Sequence, residues 1–371
     1  MQKKLIALAV VALASGAAFA QSNVTIYGSV DVGFSHRGDN INDHVGSQNA
    51  IDSGLSGDSL IGFKGVEDLG NGVSALFVLE AGFSADDGNH TENGKLFGKQ
   101  AFLGLTGGFG TAIAGRLVAP RYSLLAATDP FADGTVGRFN NVYSDTQTAN
   151  VDRVDNAVAY VSPSFSGFNV TAAYSTSALW QEGTFAGVDN DGDLRVYTIL
   201  PRYTNGPLDI GLAYQGIRGK DSTKDAKIKQ WTLAGSYDFK VVKLAAFYDS
   251  YKDQDGFASQ ALDGWTTTFT STKDVKLKTW GLGVTVPFGK HAILASYNQS
   301  KFDWHLDGKS KQWALGYTYS LSKRTNFYAA YSDISNDDGT NDAKRGTTVS
   351  DANNYGDGYQ NGFQFGLKHN F

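Results

Sequence analysis

Residues able to carry out chemistry are few in this chain, and their spacing does not favour catalysis. The histidines stand at 36, 44, 90, 291, 305 and 369, mostly in loop-like stretches of unrelated segments. Neither a G-x-S-x-G nucleophile turn nor an H-E-x-x-H zinc pair occurs. The run Asp189-Asn190-Asp191-Gly192-Asp193 has calcium-ligand residue types. Its glycine is misplaced for an EF-hand and no Glu follows at the twelfth position, so it reads as a solvated loop. With no cysteine there is neither a thiol nucleophile nor a disulfide framework. No metal and no cofactor are expected. The chemistry left is that of fixed charges, and their effect depends on the medium each one faces.

The elements that decide this begin after an export segment. Lys3 and Lys4 precede the apolar run LIALAVVALASGAAF, and Ala18-Phe19-Ala20 is a small-x-small cleavage site. Residues 1–20 therefore read as a secretory signal peptide, too short in its apolar part for the ~20 residues of a spanning helix. Cleavage leaves 371 − 20 = 351 residues and, with two lysines lost, takes the net charge from −5 to −7. That balance argues against nucleic acid, which needs a basic face. Abundant Gly, Phe and Tyr with scarce Pro fit a β protein. After the signal, no apolar run reaches the ~18 residues of a membrane helix, but a barrel spans by alternation alone.

Alternation starts at once. Val24, Ile26, Gly28, Val30, Val32 and Phe34 make one face, and Thr25, Tyr27, Ser29, Asp31, Gly33 and Ser35 the other. Trp231, Leu233, Gly235 and Tyr237 alternate likewise with Thr232, Ala234, Ser236 and Asp238, and Phe363, Phe365, Leu367, His369 and Phe371 with Gln364, Gly366, Lys368 and Asn370. Period two with one apolar face marks a strand between two different media. The pattern predicts sixteen strands, near 23–35, 58–69, 72–84, 97–106, 110–117, 153–162, 167–177, 194–204, 207–217, 228–239, 241–251, 276–287, 290–302, 310–321, 324–334 and 361–371.

Every second connection is tight, as at Asp68-Leu69-Gly70-Asn71-Gly72, Asn205-Gly206-Pro207 and Pro287-Phe288-Gly289-Lys290. The alternate ones are long and polar: 36–57, 85–96, 118–152, 178–193, 218–227, 252–275, 303–309 and 335–360. Short turns on one rim and long loops on the other predict an all-β, sixteen-stranded antiparallel transmembrane barrel, with 21–371 as one domain. A soluble propeller or solenoid would repeat at a fixed period, which is not found, and the second face is too hydrophilic for a core. Tyr203, Tyr214, Tyr237, Tyr297, Tyr317 and other aromatics near strand ends fit girdles at the two interfaces. The longest gap, 118–152, shows no clean strand or helix signal, and so long a loop implies a job.

Several blocks resemble the general trimeric porins of Gram-negative bacteria, of the Neisseria, Bordetella and Burkholderia kind. They are NVTIYGSVDVGF, then Gly62-Phe63-Lys64-Gly65-Val66-Glu67-Asp68-Leu69-Gly70-Asn71-Gly72, then Lys99-Gln100-Ala101-Phe102-Leu103-Gly104-Leu105, Arg153-Val154-Asp155-Asn156-Ala157-Val158-Ala159-Tyr160 and the ending Gly366-Leu367-Lys368-His369-Asn370-Phe371. They occur in order over nearly the whole mature chain. The resemblance implies a homotrimer of sixteen-stranded barrels, each a water-filled channel for small hydrophilic solutes and ions, set among outer-membrane lipid and lipopolysaccharide. It implies that 118–152 folds into the lumen, that 85–96 latches onto a neighbouring subunit, and that the barrel-assembly machinery reads Phe371.

It also implies a basic wall at the constriction, here Lys64, Lys99 and Arg153, with Arg116 nearby on less certain parity. The family usually has an Arg where this chain has Leu60, on the face of Gly62 and Lys64, so the wall is one charge short. Glu80, Asp129 and Asp133 are the acids expected to face it. Arg121 and Arg138 are expected either to line the slot or to pin the loop; Tyr27 and Tyr143 to line it or pack under the loop; Asp145, Asp152 and Asp155 to be solvated. Walls of one sign concentrate counter-ions, so a mild anion preference is expected. A substrate-specific channel is the alternative, disfavoured because most aromatics fall on the lipid parity. A barrel lipase is a further one, for which His369, on the lipid-side face, reads more simply as interfacial.

Overall fold

The alternating segments pair into a closed sheet. The computed structural model describes residues 23–40, 47–92, 94–132, 134–142, 151–178, 194–219, 227–254, 274–303, 308–336 and 359–371. Residues 1–20, expected to be a signal peptide, the run 189–193, Asp133, Tyr143 and Asp145 lie outside the described residues.

The first strands are β1 (Asn23–Asn40), β2 (Gln48–Ser53), β3 (Leu60–Gly70), β4 (Val73–Gly82), β5 (Gln100–Gly107) and β6 (Gly110–Val118). Then follow β7 (Arg153–Val161), β8 (Phe168–Ser175), β9 (Leu194–Asn205), β10 (Leu208–Gly219), β11 (Lys227–Asp238) and β12 (Lys243–Gln254). The last are β13 (Val275–Phe288), β14 (His291–Asp303), β15 (Gly308–Ser320), β16 (Thr325–Asn336) and β17 (Tyr359–Asn370). From β3 on, each pairs antiparallel with the next, and β1 pairs with β17 from Ser29↔Asn370 to Asn40↔Tyr359, which closes the sheet. Phe371 ends the seam: its N–H donates to Gly28 O at 3.1 Å and its carbonyl accepts from Gly28 N at 3.2 Å.

The barrel has sixteen staves because β2 and β3 share one. The upper part of β1 pairs with β2 (Val32↔Ser53 to Arg37↔Gln48) and its lower part with β3 (Ser29↔Leu60 to Asn23↔Val66). This corrects the expected loop over 36–57. The strand continues past Phe34, but its outward members become His36 and Gly38, so the apolar half of the pattern stops before the strand does. Arg37 and Ser35 instead both bond the buried carboxylate of Asp52. Residues 54–59 break the stave, with Gly57 at φ +140°, a conformation that favours glycine. The break is satisfied around Asp31: Gly54 N–H donates to its carbonyl at 2.9 Å and Ser56 N–H to its carboxylate at 2.8 Å.

Polarity is inverted relative to a soluble protein. Trp231 and Leu233 on β11, and Trp313 and Leu315 on β15, point outward and are about half exposed. Thr232, between the first two, and Gln312, next to Trp313, are fully buried. Leaving large apolar side chains in water forgoes ~1.5–3 kcal/mol each, so a band of them requires hydrocarbon outside.

The 118–152 connection is not structureless. It contains α1 (Pro120–Thr128) and a 3₁₀ turn at Phe139–Val142. Proline suits the start of α1, where a backbone donor is unpaired anyway. Arg121, Leu124, Leu125 and Thr128 form its buried stripe, while Tyr122, Ser123, Ala126 and Ala127 form a half-buried one. Leu124, Leu125 and Phe139 pack on Leu200, Ala213, Ala234 and Phe247, all at inward positions of β9–β12. Phe131 and Val136 pack on Ala314, Ala330 and Ile334 of β15 and β16. A Cβ on Gly283 of β13 would overlap the Pro130 ring, so the wall itself is shaped for close approach. The segment's described residues up to Val142 thus run along the inner face of β9–β16.

One buried charge pins it there. Arg121 Nη2 lies 3.2 Å from Asp249 Oδ2, and its Nε donates to Thr232 Oγ1 at 3.0 Å. Gln230 Nε2 also donates to Asp249 Oδ1, at 3.1 Å. Removing one partner of such a pair leaves an uncompensated buried charge. Arg121→Met should therefore destabilise the folded barrel by ~3 kcal/mol, read as a lowered urea midpoint. Arg121→Met/Asp249→Leu should recover most of that loss; a double variant as weak as the single would show that the pair is not what holds α1.

Candidate constriction site

The loop covers one side of the lumen and leaves the β3–β7 wall facing it. There the structure brings three of the four expected cations into one chain of alternating charge. Lys99 Nζ lies 2.8 Å from Asp58 Oδ1 and 2.6 Å from Glu92 Oε1. Arg153 Nη2 approaches Asp58 Oδ2 at 3.7 Å, and its Nε donates to Lys99 O at 3.1 Å. Arg116 Nη1 donates to Asp155 Oδ1 at 2.5 Å, with Glu92 Oε2 3.9 Å from its Nη2. Lys95 closes the other end on Asp155. The order is Lys95, Asp155, Arg116, Glu92, Lys99, Asp58, Arg153. The ladder shifts register between Gly115 and Leu117, which is why parity did not place Arg116.

Lys64 stands apart, lower on β3. Its Nζ sits 4.9 Å above the Tyr27 ring, and among the described residues it has no ion pair. Tyr27 OH donates to Glu80 Oε1 at 2.6 Å, and Gln100 Nε2 to Glu80 Oε2 at 2.8 Å. Glu80 is therefore an acid of the same wall, set beside its cations rather than across from them. Leu60 pairs with Ser29 and Gly82, half-buried and two residues from Asp58.

Of the loop acids, Asp129 does not face this wall as expected, and Asp133 lies outside the described residues. Asp129 is buried, and its two oxygens accept the N–H groups of Phe131 (2.8 Å) and Phe139 (2.9 Å). It shapes the loop by holding its own backbone. Arg138 also acts within the loop, donating to Asn141 Oδ1 at 3.1 Å. The α1 face left towards the wall carries Tyr122, Ser123, Ala126 and Ala127, which are uncharged, and Tyr122 lies within electrostatic reach of Arg153. Asp155 is not merely solvated, since it joins Arg116 and Lys95.

Residues 83–99 fold back on their own barrel. Thr91 N–H donates to Gly82 O at 3.1 Å and Gly94 N–H to His90 Nε2 at 2.8 Å, and the ion pairs of Glu92 and Lys95 tie the rest. At the tip, backbone and side-chain donors of Asn89 hold the Asp87 carboxyl below the usual carboxylate range. Asp58 and Glu92 are the partners that sequence reasoning missed. Asp58 was within reach of it, two residues before Leu60 on the same alternating face, whereas Glu92 sits in an irregular loop with no periodic signal.

Comparison with known proteins agrees with this architecture. A family profile described as Gram-negative porin matches residues 7–340. An outer membrane porin protein of Bordetella pertussis is 34% identical, over 89% of this chain and 93% of the relative. Outer membrane porin protein 32 of Delftia acidovorans is 31% identical over 100% of both chains. The solved anion-selective porin from Comamonas acidovorans superposes with a TM-score of 0.77 at 27% identity, over 95% of this chain and 100% of that one. The chain belongs to the Gram-negative porin family and is an outer-membrane β-barrel channel.

Proposed function

We propose that the channel passes small hydrophilic solutes and ions by passive diffusion, with a mild preference for anions. The observation that carries this is the wall's charge balance opposite a neutral α1 face. With Asp31 fully buried, Lys64, Lys95, Lys99, Arg116, Arg153 and Lys368 stand against Asp58, Glu80, Glu92, Asp152 and Asp155, so 6 − 5 leaves +1. One unit charge acting over ~5 Å of water is worth ~0.8 kcal/mol, and salt screens it further. The preference should therefore be a small factor. Likeness to a solved anion-selective porin supports the same sign.

The surroundings follow from the same reading. Residues 1–20 would direct export and be removed, and three copies would assemble as a homotrimer within outer-membrane lipid and lipopolysaccharide. The barrel-assembly machinery would read Phe371, whose half-exposed ring at the end of the seam is accessible to it. A substrate-specific sugar channel has less support, because most aromatics point outward rather than along the lumen.

Reversal potentials across a planar bilayer in a KCl gradient test the selectivity, and wild type should favour chloride by a small factor. Clear cation selectivity would overturn the assignment. Asp58→Asn removes one negative charge between Lys99 and Arg153, so the chloride/potassium permeability ratio should rise roughly twofold. Leu60→Arg should move it the same way; an unchanged reversal potential would place Leu60 away from the ion path.

A further inference from the structure

An excess of charge on the lumen wall has to reside on cations that no neighbouring carboxylate cancels. Lys95, Lys99, Arg116 and Arg153 each pair with one. Lys64 lies lower, over the Tyr27 ring. Lys368 is different. It holds an inward position of β17, directly opposite Asp31 across the closing seam. Asp31 is fully buried and both its oxygens are engaged: one accepts from the Tyr328 hydroxyl at 2.6 Å, the other from Ser56 N–H at 2.8 Å. Among the described residues, no ion pair is found for Lys368. A half-buried ammonium without a fixed counter-charge is balanced by water and by mobile anions.

The side chain passes Asp31 and crosses β1, which separates β17 from the stave shared by β2 and β3. Its Nζ stands over Gly57, where any Cβ would overlap it. Glycine there serves two ends, since φ is +140° and the ammonium needs the space. The same break touches the constriction loop. Thr135 N–H donates to Leu55 O, and a Cβ on Gly134 would overlap the Ser56 backbone. On its other side Asp58 pairs with Lys99 and approaches Arg153. Gly57 thus lies where the loop meets the charged wall, and Lys368 is carried to that height from β17. Asp58 is within its electrostatic reach but is already shared by two cations. Leu60, three residues on and facing the same lumen, is uncharged.

We propose that Lys368 is the selectivity-determining cation of the constriction. It supplies from β17 the charge that Leu60 does not supply from β3, and a passing anion meets there an ammonium that no protein carboxylate holds. The assignment rests on the channel reading proposed above and names the residue that carries its anion preference.

The test reads reversal potentials of the full folded chain in a planar bilayer under a KCl gradient. Lys368→Gln should lower the chloride/potassium permeability ratio about twofold, and Lys368→Arg should keep it. Lys368→Gln/Leu60→Arg should return it to the wild-type value. Because the chain has no cysteine, Lys368→Cys offers a single thiol. Its thiolate attacks a methanethiosulfonate reagent, forming a mixed disulfide and releasing methanesulfinate, so a side chain of chosen charge is added to a channel already folded. An aminoethyl reagent should restore the wild-type ratio and a sulfonatoethyl reagent should lower it further. A folding defect in the glutamine variant therefore leaves the assignment testable. Reversal potentials unmoved by both reagents, or a glutamine variant equal to the arginine one, would overturn it. A Lys368→Gln/Leu60→Arg channel no more anion-selective than Lys368→Gln would overturn the exchange of charge between the two positions. A wild type that prefers potassium counts against the proposed preference, whereas opposite shifts from the two reagents still support Lys368 as the residue that sets selectivity.

Discussion

A backbone N–H or C=O without a partner finds no water in hydrocarbon, and each such group costs several kcal/mol there. The rest of this structure answers to that constraint. It forces the sheet to close, which β1 and β17 do, with Phe371 and Gly28 exchanging the final pair of hydrogen bonds. It also limits where irregular backbone can occur. The break at 54–59 is tolerated because Asp31 supplies both a carbonyl and a carboxylate to its donors, and because Ser59 and Asp31 bond each other in both directions.

Closure then creates an interior too wide for wall side chains to fill, and the 118–152 segment occupies part of it. Division of labour follows. Leu124, Leu125, Phe131 and Phe139 attach the segment through apolar contacts, and Arg121–Asp249 fixes its register on the wall at the price of burying two charges. On the proposed reading, the neutral stripe of α1 faces the pore and the sign of the local field there comes from the opposite wall. There, cations and acids alternate along one chain of ion pairs from Lys95 to Arg153, so most of the charge is cancelled locally. The loop 83–99 contributes Glu92 and Lys95 to that chain, which couples its position to the wall's electrostatics.

The barrel itself was legible residue by residue. Val24 against Thr25, Trp231 against Thr232 and Trp313 against Gln312 each announce two media, and the turn residues at alternate connections set the sense of the hairpins. The helix was not. Nine residues with one short apolar pair, Leu124-Leu125, are too few for periodicity to stand out, and their stripe has meaning only against Gly211, Ala213, Ala234 and the other inward positions they meet. The extension of β1 past Phe34 was hidden for the opposite reason, since beyond that point neither face needs an apolar residue.

By itself, then, the amino-acid sequence determined the number of staves, most of the strands and their outward and inward sets, because alternation against lipid is a local rule written into neighbouring residues. Only the tertiary structure decided which charge meets which. Asp129 turned out to hold its own loop, and Asp58 and Glu92 turned out to hold Lys99. Ion pairing depends on a few ångströms between residues dozens of positions apart, at breaks, bulges and loops where period two no longer applies.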